Sequence, residues 1–219
     1  MNKKGIEIII LFLVLFSPTL FAVEIKMNSE FDSGETLIAS ISGNFLDEIT
    51  RENILFYQNH VRIPLSYDVR EINGDFYIYA LLLEKGVGNY SMVIKNVRYT
   101  EGTQIIEEEI RKNFTITEET ADFSVNPGCL TTSDNFFLEV QNLKNEKIII
   151  SVKTPSILIS NSSVELKSGE IKKVYFNLNT EESAFEKIEL NSDDISYSIP
   201  IFLYLPEKIE EPEKVDFKF

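Results

Sequence analysis

Between residues 23 and 205 the chain is written in short runs that alternate apolar and polar positions, and clusters of Gly, Pro, Asn, Asp and Ser separate one run from the next. A period of two puts alternate side chains on opposite faces of an extended backbone, so each run reads as a half-buried strand. The clearest stretch is 163–178. Val164 and Leu166 share a face before Ser168-Gly169, and Val174, Phe176 and Leu178 share one after it, with Lys173, Tyr175 and Asn177 opposite. This spacing predicts an antiparallel hairpin turning at Ser168-Gly169, in which Lys172 and Lys173 guard a solvated edge.

The same rhythm runs through the rest of the chain. Leu37, Ala39 and Ile41 form one strand face. Asn73-Gly74 predicts a tight hairpin, because both residues tolerate positive φ. After it comes a stretch rich in Tyr and Phe, in which Tyr77 and Tyr79 point outward if Phe76 and Ile78 face a core. Pro64 places the run 61–65 at a sheet edge or ends it there. Farther on, Asn126-Pro127-Gly128 reads as a turn; Phe136, Leu138 and Val140 read as one strand face, and Ile195, Tyr197, Ile199, Ile201, Leu203 and Leu205 as one long alternation. One stretch has two readings. Within 103–117, Ile106, Ile110 and Phe114 recur every four residues and suit a helix face, whereas Asn113-Phe-Thr-Ile-Thr alternates and its all-β surroundings favour a closing strand.

The polar triplet Glu118-Glu119-Thr120 marks the expected break between a first domain, 23–118, and a second, 119–205. Each has room for roughly seven short strands, the size and rhythm of a sandwich. The expected fold is therefore all-β: two tandem immunoglobulin-like β-sandwich domains after an N-terminal signal sequence.

Particular residues carry a resemblance. Phe123-Ser-Val-Asn-Pro-Gly, Phe136-Phe-Leu-Glu-Val-Gln-Asn, Val164-Glu-Leu-Lys-Ser-Gly-Glu, Val174-Tyr-Phe and Ile199-Pro-Ile lie within 121–205. That region resembles immunoglobulin-like modules of prokaryotic secreted and cell-surface proteins, Hydin-type or major-sperm-protein-like in flavour. Residues 24–117, with Ser33-Gly-Glu-Thr and Gly88-Asn-Tyr-Ser-Met-Val-Ile, look like another common extracellular sandwich in which a Gly-x-Tyr strand is frequent. Such modules serve adhesion, spacing, assembly and ligand binding alike, so the resemblance implies a fold and no activity. A tandem pair of this size is also similar to periplasmic pilus chaperones. Their scheme relies on basic side chains in the inter-domain cleft, and no Arg and Lys pair here matches those anchors.

Charge and cysteine usage narrow the compartment and partners. Of 219 residues, 35 are acidic and 21 basic, for a formal net charge of −14. Nucleic-acid binding draws its affinity from neutralised phosphates, so such a chain disfavours nucleic acid, and anionic lipid likewise. The single cysteine, Cys129, forbids an intramolecular disulfide and reads as a small buried apolar residue. At the start, Lys3 and Lys4 precede an unbroken apolar run over 8–16, then Ser17-Pro18 and Leu20-Phe21-Ala22. This is the pattern of an export signal, 1–22, cut after Ala22. If it is retained, it is an N-terminal membrane anchor, although the run falls short of the roughly 20 residues that span a bilayer. At the other end, 206–219 reads as an acidic flexible tail. There Val215, Phe217 and Phe219 share one face, as in a strand that adds to a sheet edge.

Chemistry-bearing motifs are sparse. The sequence contains no Gly-x-Ser-x-Gly, no His-Glu-x-x-His, no phosphate loop and no cysteine pair, so no catalytic residue, metal ligand or cofactor is assigned. His60 reads as a surface loop residue. Asn191, Asp193 and Asp194 have oxygen ligands suited to Ca²⁺, but they equally suit a turn that uses Asn and Asp for their backbone tolerance. Glycosylation sequons stand at Asn89, Asn113 and Asn161; Asn161 falls in an expected loop and Asn113 in an expected strand. The reading that follows is an exported, non-catalytic protein acting through contacts with an unknown cell-envelope or surface protein, in adhesion, envelope architecture or assembly. The competing readings are an extracellular small-ligand or glycan-binding module and a periplasmic chaperone-like protein.

Overall fold

The computed structural model describes residues 23–180 and 182–204. The expected export signal and the tail, with Val215, Phe217 and Phe219, lie outside the described residues. The first half folds into β1 (Glu24–Lys26), β2 (Glu30–Ser33), β3 (Thr36–Ser42), β4 (Ile54–Gln58), β5 (Val61–Ile63), β6 (Ser66–Ile72), β7 (Asp75–Leu81), β8 (Gly88–Glu101) and β9 (Gln104–Thr120). The second half folds into β10 (Phe123–Asn126), β11 (Leu130–Thr132), β12 (Phe136–Asn142), β13 (Ile148–Lys153), β14 (Leu158–Ile159), β15 (Ser163–Leu166), β16 (Ile171–Leu178), β17 (Ala184–Asn191) and β18 (Ser196–Leu203). Each half thus has nine strands where roughly seven were expected. The surplus comes from two- to four-residue edge strands such as β2, β5, β11 and β14, which are too short to display a period.

Strand order defines the fold. In the first half the sheets run β1-β3-β7-β6 and β2-β9-β8-β4-β5; in the second they run β10-β12-β16-β14 and β11-β18-β17-β13-β15. In immunoglobulin lettering the first half is A-B-E-D facing A′-G-F-C-C′; the second keeps A-B-E facing A′-G-F-C, but its two edge strands come in exchanged chain order, β14 joining E before β15 joins C. In both halves the A′ and G strands run parallel (β2 with β9, β11 with β18) and all other neighbours are antiparallel. The first half also has a tyrosine corner. Tyr90, at the start of the F strand and the Tyr of the Gly-x-Tyr signature, donates its hydroxyl to the Gly86 carbonyl at 2.6 Å. Two residues on, fully buried Met92 stands where a disulfide-bonded antibody domain has its second cysteine. Packing takes over that cross-link's role, with Phe31, Phe56, Ile94 and Ile116 in one core and Phe123, Phe176, Ile188 and Ile199 in the other.

Several local expectations hold. Asn73 and Gly74, at φ 55° and 84°, turn β6 into β7, and β5 ends at the residue before Pro64 on a sheet edge. The ambiguous stretch is strand. β9 pairs with β8 from Gly88↔Ile116 to Glu101↔Gln104, and a spacing of four is also one face of a strand, which leaves Phe114 and Ile116 buried. β9 continues through Glu118 and Glu119 to Thr120, and the chain enters β10 through buried Ala121 and Asp122.

The hairpin at Ser168-Gly169 does not form. β15 pairs with β13 in one sheet and β16 with β12 and β14 in the other, so the turn carries the chain across the sandwich. Leu166 and Phe176 do share the core, but they reach it from opposite layers. The turn itself closes, with Glu170 N–H donating to the Lys167 carbonyl at 3.0 Å, but beyond it each strand pairs with a different partner, β15 with β13 and β16 with β12. Fully buried Asn142 braces the turn: it donates its side-chain amide to the carbonyls of Lys167 (2.9 Å) and Glu146 (2.7 Å), and its oxygen accepts from Lys144 N–H at 2.8 Å. Lys172 and Lys173 lie on the part of β16 that β14 leaves uncovered, since β14 pairs only with Asn177 and Leu178. Lys172 donates to the Glu165 carbonyl at 2.6 Å, and Lys173 lies 4.0 Å from the centre of the Phe137 ring.

Candidate functional site

The two sandwiches meet through a built junction. The outer face of β3 and β7 carries Ile38, Tyr77 and Tyr79, the outward stripe expected from alternation, and the second sandwich covers it. A side-chain carbon on Gly128 would stand 2.6 Å from Tyr79 Cβ and 3.1 Å from Ile38 Cγ1, so the backbone there touches the first sandwich directly. Tyr77 meets Phe185 with ring centres 6.0 Å apart. Cys129 is 1% exposed, with Sγ 3.5 Å from the Tyr77 carbonyl oxygen, and burial pushes its thiol up to about 12. Polar bonds fasten the other side. Buried Thr36 donates its hydroxyl to the Val125 carbonyl (2.9 Å) and accepts from Val125 N–H (3.0 Å). The Tyr197 hydroxyl accepts from Thr36 N–H at 2.9 Å and donates to the Phe123 carbonyl at 3.0 Å.

Beside the junction a cleft of about 430 Å³ is lined by Glu30, Asp32, Glu35, Glu119 and Asp194. These are acids where the pilus-chaperone scheme needs basic anchors. The neighbouring loop, Asn191 to Asp194, joins β17 to β18 and gathers no metal-binding cluster among the described residues. Asp122 fixes it instead, accepting from the Ser192 hydroxyl at 2.5 Å and from Asp194 N–H at 3.2 Å. Sequence reasoning missed Glu35, Asp122, Asn142 and Tyr197. Asp122 and Tyr197 act on partners brought near by the packing of sheets or domains, whereas Glu35 and Asn142 also bond within their own turns, to Asp32 and to Lys144 and Glu146.

A cavity of about 680 Å³ is an open groove on the outer face of β8 and β9, bordered by the loop bearing Asn59 and His60. It brings together two of the three sequons. Asn89 lies opposite Thr115 and Asn113 opposite Ser91, so each sequon's hydroxyl residue faces the asparagine of the other. The Thr115 hydroxyl donates to Asn89 Oδ1 at 3.2 Å, and Arg111 donates to the Ser91 hydroxyl at 3.0 Å while its guanidinium lies 5.5 Å from the Tyr57 ring centre. Both sequons thus fall on one outward polar ladder; Asn113 is exposed despite its place in a strand, as is Asn89. Asn161 is exposed in the loop between β14 and β15 and stands apart from this groove.

A third feature is apolar. On the outer face of β12, β16 and β14, Tyr175 is 62% exposed and Phe137 37%, with ring centres 5.8 Å apart; Ile171 and Ile159 are also exposed. The pair Phe137↔Tyr175 lies on the outer face of its sheet, as Ile38↔Tyr79 does on the corresponding sheet of the first half. One pair lies under a neighbouring sandwich. The other is open.

No protein-family model matches the chain, and no curated protein matches it by sequence. Among solved structures it is similar to the D0-D1 domain of intimin, with 10% identity and a TM-score of 0.32 over 84% of this chain and 98% of that one. It is similar to the tandem titin domains A164-A165, with 11% identity and a TM-score of 0.27 over 84% and 97%. For dimeric latent PorU from Porphyromonas gingivalis the identity is 10% and the TM-score 0.45, over 85% of this chain but 20% of that one. None of these gives support for a Hydin-type or major-sperm-protein-like character in the second domain. Such loose superpositions carry no argument about function, and the immunoglobulin-like fold rests on the strand order itself.

Proposed function

We propose that the protein works outside the cytoplasm as a non-catalytic, two-module surface protein that engages another protein of the cell envelope or surface. The observation that carries this reading is the open Phe137–Tyr175 face. Exposed apolar surface rimmed by charge, here Glu139 and Lys173, marks contact surfaces between proteins, and the equivalent face of the first sandwich is already used for a protein contact. Adhesion, envelope architecture and assembly all draw on such a surface. A second reading, binding of a small ligand or glycan, is favoured by the polar groove of Asn59, His60, Asn89, Arg111 and Asn113, whose amides and guanidinium suit hydroxyl-rich or anionic molecules.

The test places a photo-crosslinking residue at Tyr175 in one variant and at His60 in another, with each expressed in its native envelope. A discrete protein adduct from position 175 that disappears with Phe137→Ser supports the first reading. Binding on a glycan array that is lost with Arg111→Ala, with no adduct from position 175, overturns it in favour of the second.

A further inference from the structure

Two buried carboxyls serve the junction, and their surroundings treat them oppositely. Asp122, in the segment that crosses between sandwiches, accepts from the Ser192 hydroxyl and Asp194 N–H and pairs with Lys144 Nζ at 3.3 Å. Burial works against its charge, but these donors outweigh burial and hold the carboxyl below the usual carboxylate range. Glu35 sits in the turn at the head of β3 and is 9% exposed. Among the described residues its carboxylate takes one hydrogen bond, from Asp32 N–H at 2.8 Å. Burial pushes it up to about 7; the bond from Asp32 N–H offsets part of that rise, and the charge of Asp32 adds to it.

The charged groups lining the cleft with Glu35 are all acidic, among neutral Asn28, Thr117, Ile195 and Ser196. Glu30 and Asp32 come from β2, Glu119 from β9 and Asp194 from the loop before β18; no Lys or Arg lines the cleft. Tyr197 of β18 presents a hydroxyl that burial keeps neutral, and Lys144 is held by Asp122. The turn bearing Glu35 is committed to the second sandwich on both flanks. Gly34, at φ 86°, lies against Leu143, whose Cδ1 would stand 2.8 Å from a Cβ there. Thr36 bonds Val125 and Tyr197. A charge appearing on Glu35 therefore has no counter-ion, faces like charges, and sits in the segment that holds the domains together.

We propose that Glu35 is a proton-operated latch on the inter-domain junction: protonated, it lets the turn seat on the second sandwich; ionised, it loosens that seating. This goes beyond the surface role proposed above and does not depend on it. The direction follows from linkage. An unseated Glu35 ionises near the ordinary 4.5 and a seated one only near 7, so the open form sheds its proton first. Seating is strongest below about pH 4.5, weakens as pH rises through the interval and levels off above about 7. The opening equilibrium is expected to change by about ten- to a hundred-fold across that interval.

The one cysteine of the chain reports on the junction, because Cys129 is buried in it. The rate of its reaction with dithiodipyridine is measured for the full chain and for Glu35→Gln at each pH from 5 to 8.5. The ratio of the two rates cancels the thiolate fraction and the reagent's own chemistry. The expected result is a wild-type to variant ratio that rises about ten- to a hundred-fold between pH 5 and 8; a flat ratio overturns the latch. If Glu35→Gln does not fold, hydrogen exchange in the wild type decides. After correction for intrinsic rates, selective loss of protection at the Thr36 and Val125 amides with rising pH, while Ile94 in the core of β8 stays protected, supports the proposal. Unchanged protection at those amides overturns it.

Discussion

Replacing Tyr197 by Phe removes one oxygen atom from the structure and leaves the ring, whose edge-on packing against Phe123 at 5.0 Å is unaffected. The lost hydroxyl is 3% exposed in its residue and serves two backbone groups, accepting from Thr36 N–H and donating to the Phe123 carbonyl. A buried hydrogen bond is worth about 1 kcal/mol net, and the loss rises to about 1–3 kcal/mol where it leaves a buried N–H without a partner. The carbonyl suffers less, since its second lone pair remains available to the sheet. The expected loss is about 2–3 kcal/mol, which for a chain of this size lowers the melting temperature by roughly 5–10 °C. Urea unfolding followed by far-UV circular dichroism measures it. Tyr67→Phe is the control, because that hydroxyl also meets two carbonyls, of Arg51 and Ile54, but at a part-exposed site; its loss is expected to stay below about 1 kcal/mol. The Thr36 bond also joins the two sandwiches, so Tyr197→Phe is expected to split one unfolding transition into two. A loss no larger than that of the control, with a single transition, refutes the reasoning.

Gly128→Val is expected to destabilise by about 1–3 kcal/mol through overpacking against Tyr79 and Ile38, and to raise the reactivity of the adjacent Cys129, measured with a thiol reagent. Asn142→Leu, of similar volume, leaves Lys144 N–H and the carbonyls of Glu146 and Lys167 without their side-chain partner; a loss of about 2–3 kcal/mol in chemical denaturation is expected, with exchange protection falling first around Lys167.

The parts of the fold that were legible from sequence are those whose signal is local. Asn73-Gly74 has its turn type written in two residues, and the alternation in Leu37, Ala39 and Ile41 or in Leu138 and Val140 is enforced by one buried face. The stretch 163–178 shows the limit. Its alternation correctly placed Leu166, Val174 and Phe176 in the core, yet strands of opposite sheets also present apolar faces to that core, so periodicity could not distinguish a hairpin from a crossing. That choice belonged to β12 and β13, which lie outside the stretch and pair with β16 and β15 in turn. The acidic cleft was out of reach for the same reason. Ser33-Gly-Glu-Thr stood out as a pattern, but Glu35 becomes a buried acid only once Leu143, Val125 and Tyr197 have closed over its turn. The outward Tyr77 and Tyr79 were visible, and what covers them was not, because it depends on how two domains meet.

The parallel pairing of β2 with β9 and of β11 with β18 bears on how the molecule carries load. In each sandwich these strands lie close to where the chain enters and leaves. Tension applied through the two ends draws parallel neighbours in opposite directions along their common axis. Their ladder bonds, evenly spaced in a parallel pair, are then strained together rather than peeled one at a time. The uninterrupted ladder of β11 and β18 is therefore expected to resist such tension as a unit, and that of β2 and β9 to give first at its register shift between Phe31 and Ser33.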